Sequence, residues 1–96
     1  MKTVNELSLI KGSFNASDAN EVLLTMINSK IAYHEKKILA MREHSGLEDF
    51  NSIARIAELR ETASELRALV SFAGKSNNGL KITASVKIEL EELSTV

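Results

Sequence analysis

Residues 80–90 read LKITASVKIEL. Leu80, Ile82, Ala84, Val86, Ile88 and Leu90 share one parity, and Lys81, Thr83, Ser85, Lys87 and Glu89 share the other. Successive side chains of a strand point to opposite faces, so this alternation predicts a half-buried strand over about residues 80–91. One face meets a core and the other meets water. Sheets of that kind are usually antiparallel. The partner has to come from elsewhere in the chain, and residues 4–14, VNELSLIKGSF, are the candidate. Val4, Leu7, Leu9, Ile10 and Phe14 do not keep one parity, which predicts a bulge or kink near Lys11-Gly12.

The intervening sequence has the period of helices. Leu24, Ile27, Ile31, His34, Ile38 and Met41 recur at three- and four-residue spacing, which aligns them along one side of a helix. Asn15 can cap that helix with Asp18 at its third position, Phe14 can pack on Ala19, and Gly46 can end it. The helix is expected over about residues 16–44. A second seam, Ile56, Leu59, Ala63, Leu66, Val70 and Ala73, predicts another helix over about residues 48–73. Ser45-x-x-Glu48 is its expected cap, Gly74 its expected end, and Lys75 to Gly79 the turn into the last strand. Phe50, Ala54, Ala57, Ala68 and Phe72 lie on a different side of the second helix. Two apolar sides imply two packing partners: the first helix, and either the sheet or a second subunit.

Short connections make the two helices a hairpin and bring the last strand back beside the first. The expected fold class is α+β, in the order β-α-α-β. A long antiparallel helical hairpin packs on a small antiparallel sheet, in a single domain over residues 1–96. Helices of about 26 residues are ~40 Å long, too long for two strands to cover. An isolated pair of strands is also marginal. The sequence therefore predicts a dimer, through a four-helix bundle, through paired edge strands, or through both.

Composition narrows the function. The chain has no cysteine, which excludes disulfides and thiolate metal sites. Its net charge is −1 with both signs interspersed, so nothing marks nucleic acid or an anionic membrane as a partner. The first residues lack the apolar core of a signal peptide, and no run approaches the ~18 apolar residues of a membrane span. A cytoplasmic location is the resulting expectation. Proline is absent as well, which suits long helices and paired strands.

Chemical motifs are incomplete. His34-Glu35-Lys36-Lys37-Ile38 begins like the zinc-protease H-E-x-x-H, but isoleucine stands where the second histidine must share the helix face. His44 falls on another face, in a last turn where a cation suits the helix dipole. Gly74-Lys75-Ser76 resembles the end of a phosphate-binding loop, but Leu69 occupies the position of its first glycine, and the loop follows a helix. No G-x-S-x-G accompanies the serines. Lys30 and Lys37 flank the first seam, and Glu58, Glu61 and Glu65 form an acidic stripe that could meet them across the hairpin. Arg55, Arg60 and Arg67 lie along the second helix. His34, at the centre of the first apolar arc, reads as a hydrogen-bonded interior histidine or as a pH-sensitive contact.

The expected product is a small non-catalytic interaction module, an adaptor, regulatory or structural subunit, with no cofactor and no metal. Its expected partner is a second copy, with another protein as the further option, through Ile27, Ile31, His34, Ile38, Phe50, Ala54, Ala57 and Phe72. The alternative is a small enzyme or ligand-binding helical bundle with a pocket between subunits, for which Arg60, Arg67 and Lys30 are the candidate lining residues.

Overall fold

The alternation of residues 80–90 is realised as half of a two-stranded ribbon. In the computed structural model, which describes residues 4–93, the order is β1 (Val4–Phe14), α1 (Ala16–Ser45), α2 (Phe50–Lys75) and β2 (Leu80–Glu89). The class is α+β. The strands are antiparallel neighbours, with Phe14 opposite Leu80, Gly12 opposite Ile82, Leu7 opposite Val86 and Asn5 opposite Ile88. Opposed residues share a face, so these pairs build the apolar side. Lys11 with Thr83, Ser8 with Ser85 and Glu6 with Lys87 build the polar side.

The mixed parity of β1 has a specific cause. Ser8 pairs with Ser85 and Ile10 pairs with Ala84, which leaves Leu9 as an extra residue. The expected irregularity is present but lies at Leu9, not at Lys11-Gly12. Its effect is to put Leu7 on the same face as Ile10 although their numbers differ in parity. Without it Ser8 would stand opposite Val86, and Leu7 would turn to the polar side.

The caps follow local chemistry. The Asn15 side chain accepts from the Asp18 amide at 2.8 Å, and Gly46 adopts φ 71° at the end of α1 with its amide on the Arg42 carbonyl. For α2 the sequence reading needs correction. Asp49 caps it, taking the Ser52 amide at 3.1 Å. Ser45 is occupied otherwise, donating to the Met41 carbonyl at 2.8 Å. Gly74 does not end α2 either. The left-handed residue is Asn77, φ 57°, and the Asn78 amide reaches the Ala73 carbonyl at 2.8 Å in a Schellman closure. Gly74 stays helical where α2 approaches α1: a Cβ placed on it would lie 3.5 Å from the Ala16 Cβ.

The two predicted seams face each other. Ile56, Leu59, Ala63 and Ala73 of α2 are buried, and Leu66 and Val70 are half-buried. On α1, Leu24, Ile27, Ile31, His34 and Ile38 are half-buried, while Met41 is exposed. Among the described residues only two large apolar side chains, Ile56 and Leu59, are buried. Each contributes about 1.5–3 kcal/mol by the usual area relation.

The ribbon does not lie across the hairpin as expected. Contacts fall almost wholly within the strand pair and within the helix pair, and α1 touches both strands only sparingly. The near half of the apolar face, with Phe14, Ile10, Leu80, Ile82 and Ala84, is half-buried. The far half is open, with Leu7 56%, Val86 37% and Ile88 47% exposed. The chain is elongated, 56 × 36 × 15 Å.

Candidate functional site

The hairpin brings three polar side chains into its seam. Asp49 and Ser52 are buried at the start of α2, and His34 reaches them from the middle of α1. The Ser52 hydroxyl donates to Asp49 Oδ2 at 2.7 Å and contacts His34 Nδ1 at 3.0 Å. One hydroxyl has one proton. The hydrogen bonds from Ser52 hold the Asp49 carboxyl below its ordinary range, so it is ionised and accepts the hydroxyl's hydrogen bond. The serine oxygen must then accept from His34 Nδ1–H. That fixes the imidazole tautomer and leaves Nε2 as a buried acceptor with no partner. Burial lowers the His34 pKa from 6.5, helped by Lys30, Lys37 and Arg55, against a smaller opposing effect of Asp49.

The order of this relay matters. A serine nucleophile needs the imidazole as its base and a carboxylate behind the imidazole. Here the serine sits in the middle, donating to the carboxylate and accepting from the histidine. No proton path activates its oxygen. The arrangement pins the hairpin: a cap at the start of α2 is tied to the centre of α1.

A groove runs along one side of the seam. Near the hairpin turn it encloses about 470 Å³ between Glu35, Ile38 and Leu39 of α1 and Ile53, Ala57 and Arg60 of α2. It continues as a second hollow of about 410 Å³ lined by Asn28, Ile31, Arg60, Ala63 and Arg67. Arg42, at the rim, is committed to Glu48 by two hydrogen bonds of 2.8 and 2.9 Å. Arg60 and Arg67 have no ion-pair partner among the described residues, where the pairs are Arg42–Glu48, Arg55–Glu58 and Lys87–Glu89.

The lysines expected to meet the acidic stripe do otherwise. Lys30 Nζ and Lys37 Nζ lie over the Tyr33 ring, 4.9 and 5.5 Å from its centre. Tyr33 holds both by i−3 and i+4 spacing on α1. Glu58 pairs instead with Arg55 on its own helix.

The residues expected at an interface divide into two groups. Ile27, Ile31, His34 and Ile38 are half-buried on the α1 seam, which packs against α2 of the same chain. Phe50 and Phe72 stand outside, 74% and 70% exposed, with Ala54 and Ala57 also exposed. No group of three or more histidine, aspartate or glutamate side chains is placed to hold a metal among the described residues, and no helix there is long and apolar enough to cross a membrane.

No family model, curated protein or solved structure matches this chain. The Asp49–Ser52 half of the relay was missed in the sequence reading. Its signal is present: Asp49-Phe50-Asn51-Ser52 has a capping residue followed at the third position by a hydroxyl, just before the apolar seam opens at Ile56.

Proposed function

We propose that this chain is a non-catalytic interaction module whose working form is a homodimer, serving as an adaptor, regulatory or structural subunit. Its free surface carries the reading. The chain exposes 7786 Å², whereas a compact monomer of 10.6 kDa exposes about 5,500 Å². Its radius of gyration is 17.4 Å, against about 12.5 Å for a compact chain of this length. The excess, about 2,300 Å², is well above the ~800 Å² that each partner of a stable complex buries. Much of it is apolar, at Phe50, Phe72, Leu39, Leu69, Leu7 and Ile88. Light scattering over a concentration series at neutral pH tests this. A mass of twice 10.6 kDa is expected, and a monomer at every concentration would refute it.

The groove supports a second reading, a ligand-binding bundle. Arg60 and Arg67 sit one heptad apart over an apolar floor of Ile31 and Ala63, with Asn28 opposite. That is a donor set suited to a carboxylate or phosphate, open on the side where a second subunit could close it. Thermal shift with inorganic phosphate and citrate, compared with Arg60→Ala and Arg67→Ala, separates the two readings. Stabilisation lost in both variants favours the ligand.

A further inference from the structure

Two features of the ribbon remain unexplained within one chain. The bulge at Leu9 holds Leu7 on the apolar face, beside Val86 and Ile88, although nothing covers that end. A bulge interrupts the ladder, so here a backbone irregularity preserves an apolar stripe that the chain leaves in water. The two outer edges also differ. The bulge disturbs that of β1, a common protection against unwanted pairing. The edge of β2 is ten residues without bulge or proline, the kind of edge that accepts another strand.

We infer that the outer edge of β2 pairs with the same edge of a second copy, antiparallel about a twofold axis at Ser85, to make a four-stranded sheet. This rests on the dimer reading above and adds its surface and its register. Opposed side chains must share a face, so a symmetric pair can centre only on a single residue. Centring on Ser85 matches the whole run from Leu80 to Leu90. Ile82 then faces Ile88 of the second copy, Ala84 faces Val86, and Lys81 faces Glu89. Centring on Ala84 would set Lys81 against Lys87, and like charges directly opposed are unfavourable.

This register also places the open end. Antiparallel pairing about Ser85 sets the far half of each ribbon beside the near half of the other. The near half is the part that is half-buried. Val86 and Ile88 of each copy thus lie next to a strand segment already half-buried in the other copy. Two strands are marginal alone, while a sheet of three or more strands with one apolar face is not. The alternation and the Lys81–Glu89 charge order are met by the chain's own sequence, which is why the occupant is a second copy.

The chain has no cysteine, so introduced cysteines report without background. Ser85 is exposed and its hydroxyl donates only to the exposed Glu6, at 2.9 Å. Ser85→Cys is expected to give a disulfide-linked dimer on mild oxidation, because opposed Cα atoms lie about 4.5–5.5 Å apart. Thr83→Cys is expected to stay unlinked, its counterpart lying about 13 Å away along the strand. Lys81→Glu should weaken the dimer about tenfold, and adding Glu89→Lys should restore it. If the wild-type chain is a dimer but folded Ser85→Cys does not link, the edge pairing is wrong and the dimer reading survives. Linkage through Thr83→Cys in its place overturns the register. A wild-type monomer overturns both.

Discussion

Replacing Ser52 by alanine tests whether the buried relay fixes the hairpin. Ser52 is 1% exposed, and its hydroxyl makes contacts of 2.7 Å to Asp49 and 3.0 Å to His34. A hydrogen bond of this kind contributes about 1 kcal/mol net, and two give ~2 kcal/mol. Alanine is the better helix former by about 0.5 kcal/mol, which offsets part. The expected loss is about 1.5 kcal/mol. The Asp49 cap on the Ser52 amide survives, since that bond is to the backbone. With a urea slope near ~1 kcal/mol per molar for a small domain, the midpoint should fall by about 1.5 M. The same substitution in a His34→Leu background separates the relay from the cap. With no imidazole to strand, Ser52→Ala should cost about 1 kcal/mol less. Both series belong at one protein concentration, because self-association of the proposed kind would add to apparent stability. An unchanged midpoint for Ser52→Ala, or an equal cost in the two backgrounds, would refute the relay.

Acid should loosen the hairpin in two stages. The unfolded chain protonates at His34 near its ordinary 6.5, before the folded chain does, so this contribution is complete above 6.5 and is lost as pH falls below it. Asp49 has a lowered pKa, so its contribution holds above 3.8 and is lost beneath. A urea midpoint at about pH 5 equal to that at about pH 7.5 would contradict the first stage, and His34→Leu should abolish it. Two glycines should respond with opposite sign. Gly46→Ala strains a backbone at φ 71° in open space and should cost about 1 kcal/mol. Gly74→Ala places a methyl at ordinary contact distance from Ala16, within a helix, and should gain about 0.5–1 kcal/mol in thermal unfolding. Deleting Leu9 should leave circular dichroism and stability near those of the intact chain, because the observed pairs Ser8–Ser85 and Ile10–Ala84 then become consecutive. A collapse of the fold on that deletion would show that the bulge serves the strand pair itself.

Periodic features were legible in the sequence. The β2 alternation and both helix seams appear where their spacing puts them, because burial enforces a period and period survives in sequence. The α1 cap was legible too, since Asn15 and Asp18 lie within one turn. What was misplaced depends on choice between neighbours. Ser45 and Asp49 both offer a cap for α2, and the Met41 carbonyl engages Ser45 first. Gly74 and Asn77 can both end a helix. Gly74 is drawn inside by the approach of Ala16, a contact between residues far apart in the chain. Parity alone calls for a bulge, but it constrains only the interval between Leu7 and Ile10, and Leu9 rather than Gly12 takes it. The packing of ribbon on hairpin was not legible at all. Alternation says that a face is apolar, not which surface covers it.

That last point bears on function. Apolar patterning in a sequence records burial in the working assembly, whereas the structure of one chain shows burial within that chain. Where the two agree, as at Ile56, Leu59 and Ala63, the residue is explained by the fold. Where they disagree, the difference is what motivates the proposed interface. It is most regular at the far end of the ribbon, where Leu7, Val86 and Ile88 keep the parity of a buried face and remain exposed. Phe50 and Phe72 differ in kind. They are exposed on the outside of α2, 22 positions apart, with only alanines and polar residues between them on that side. At 1.5 Å per residue they stand about 33 Å apart, so no single small contact covers both. The ribbon end carries the regular, self-complementary signal expected of symmetric pairing. The outer phenylalanines carry no such pattern, so the proposed sheet pairing does not account for them.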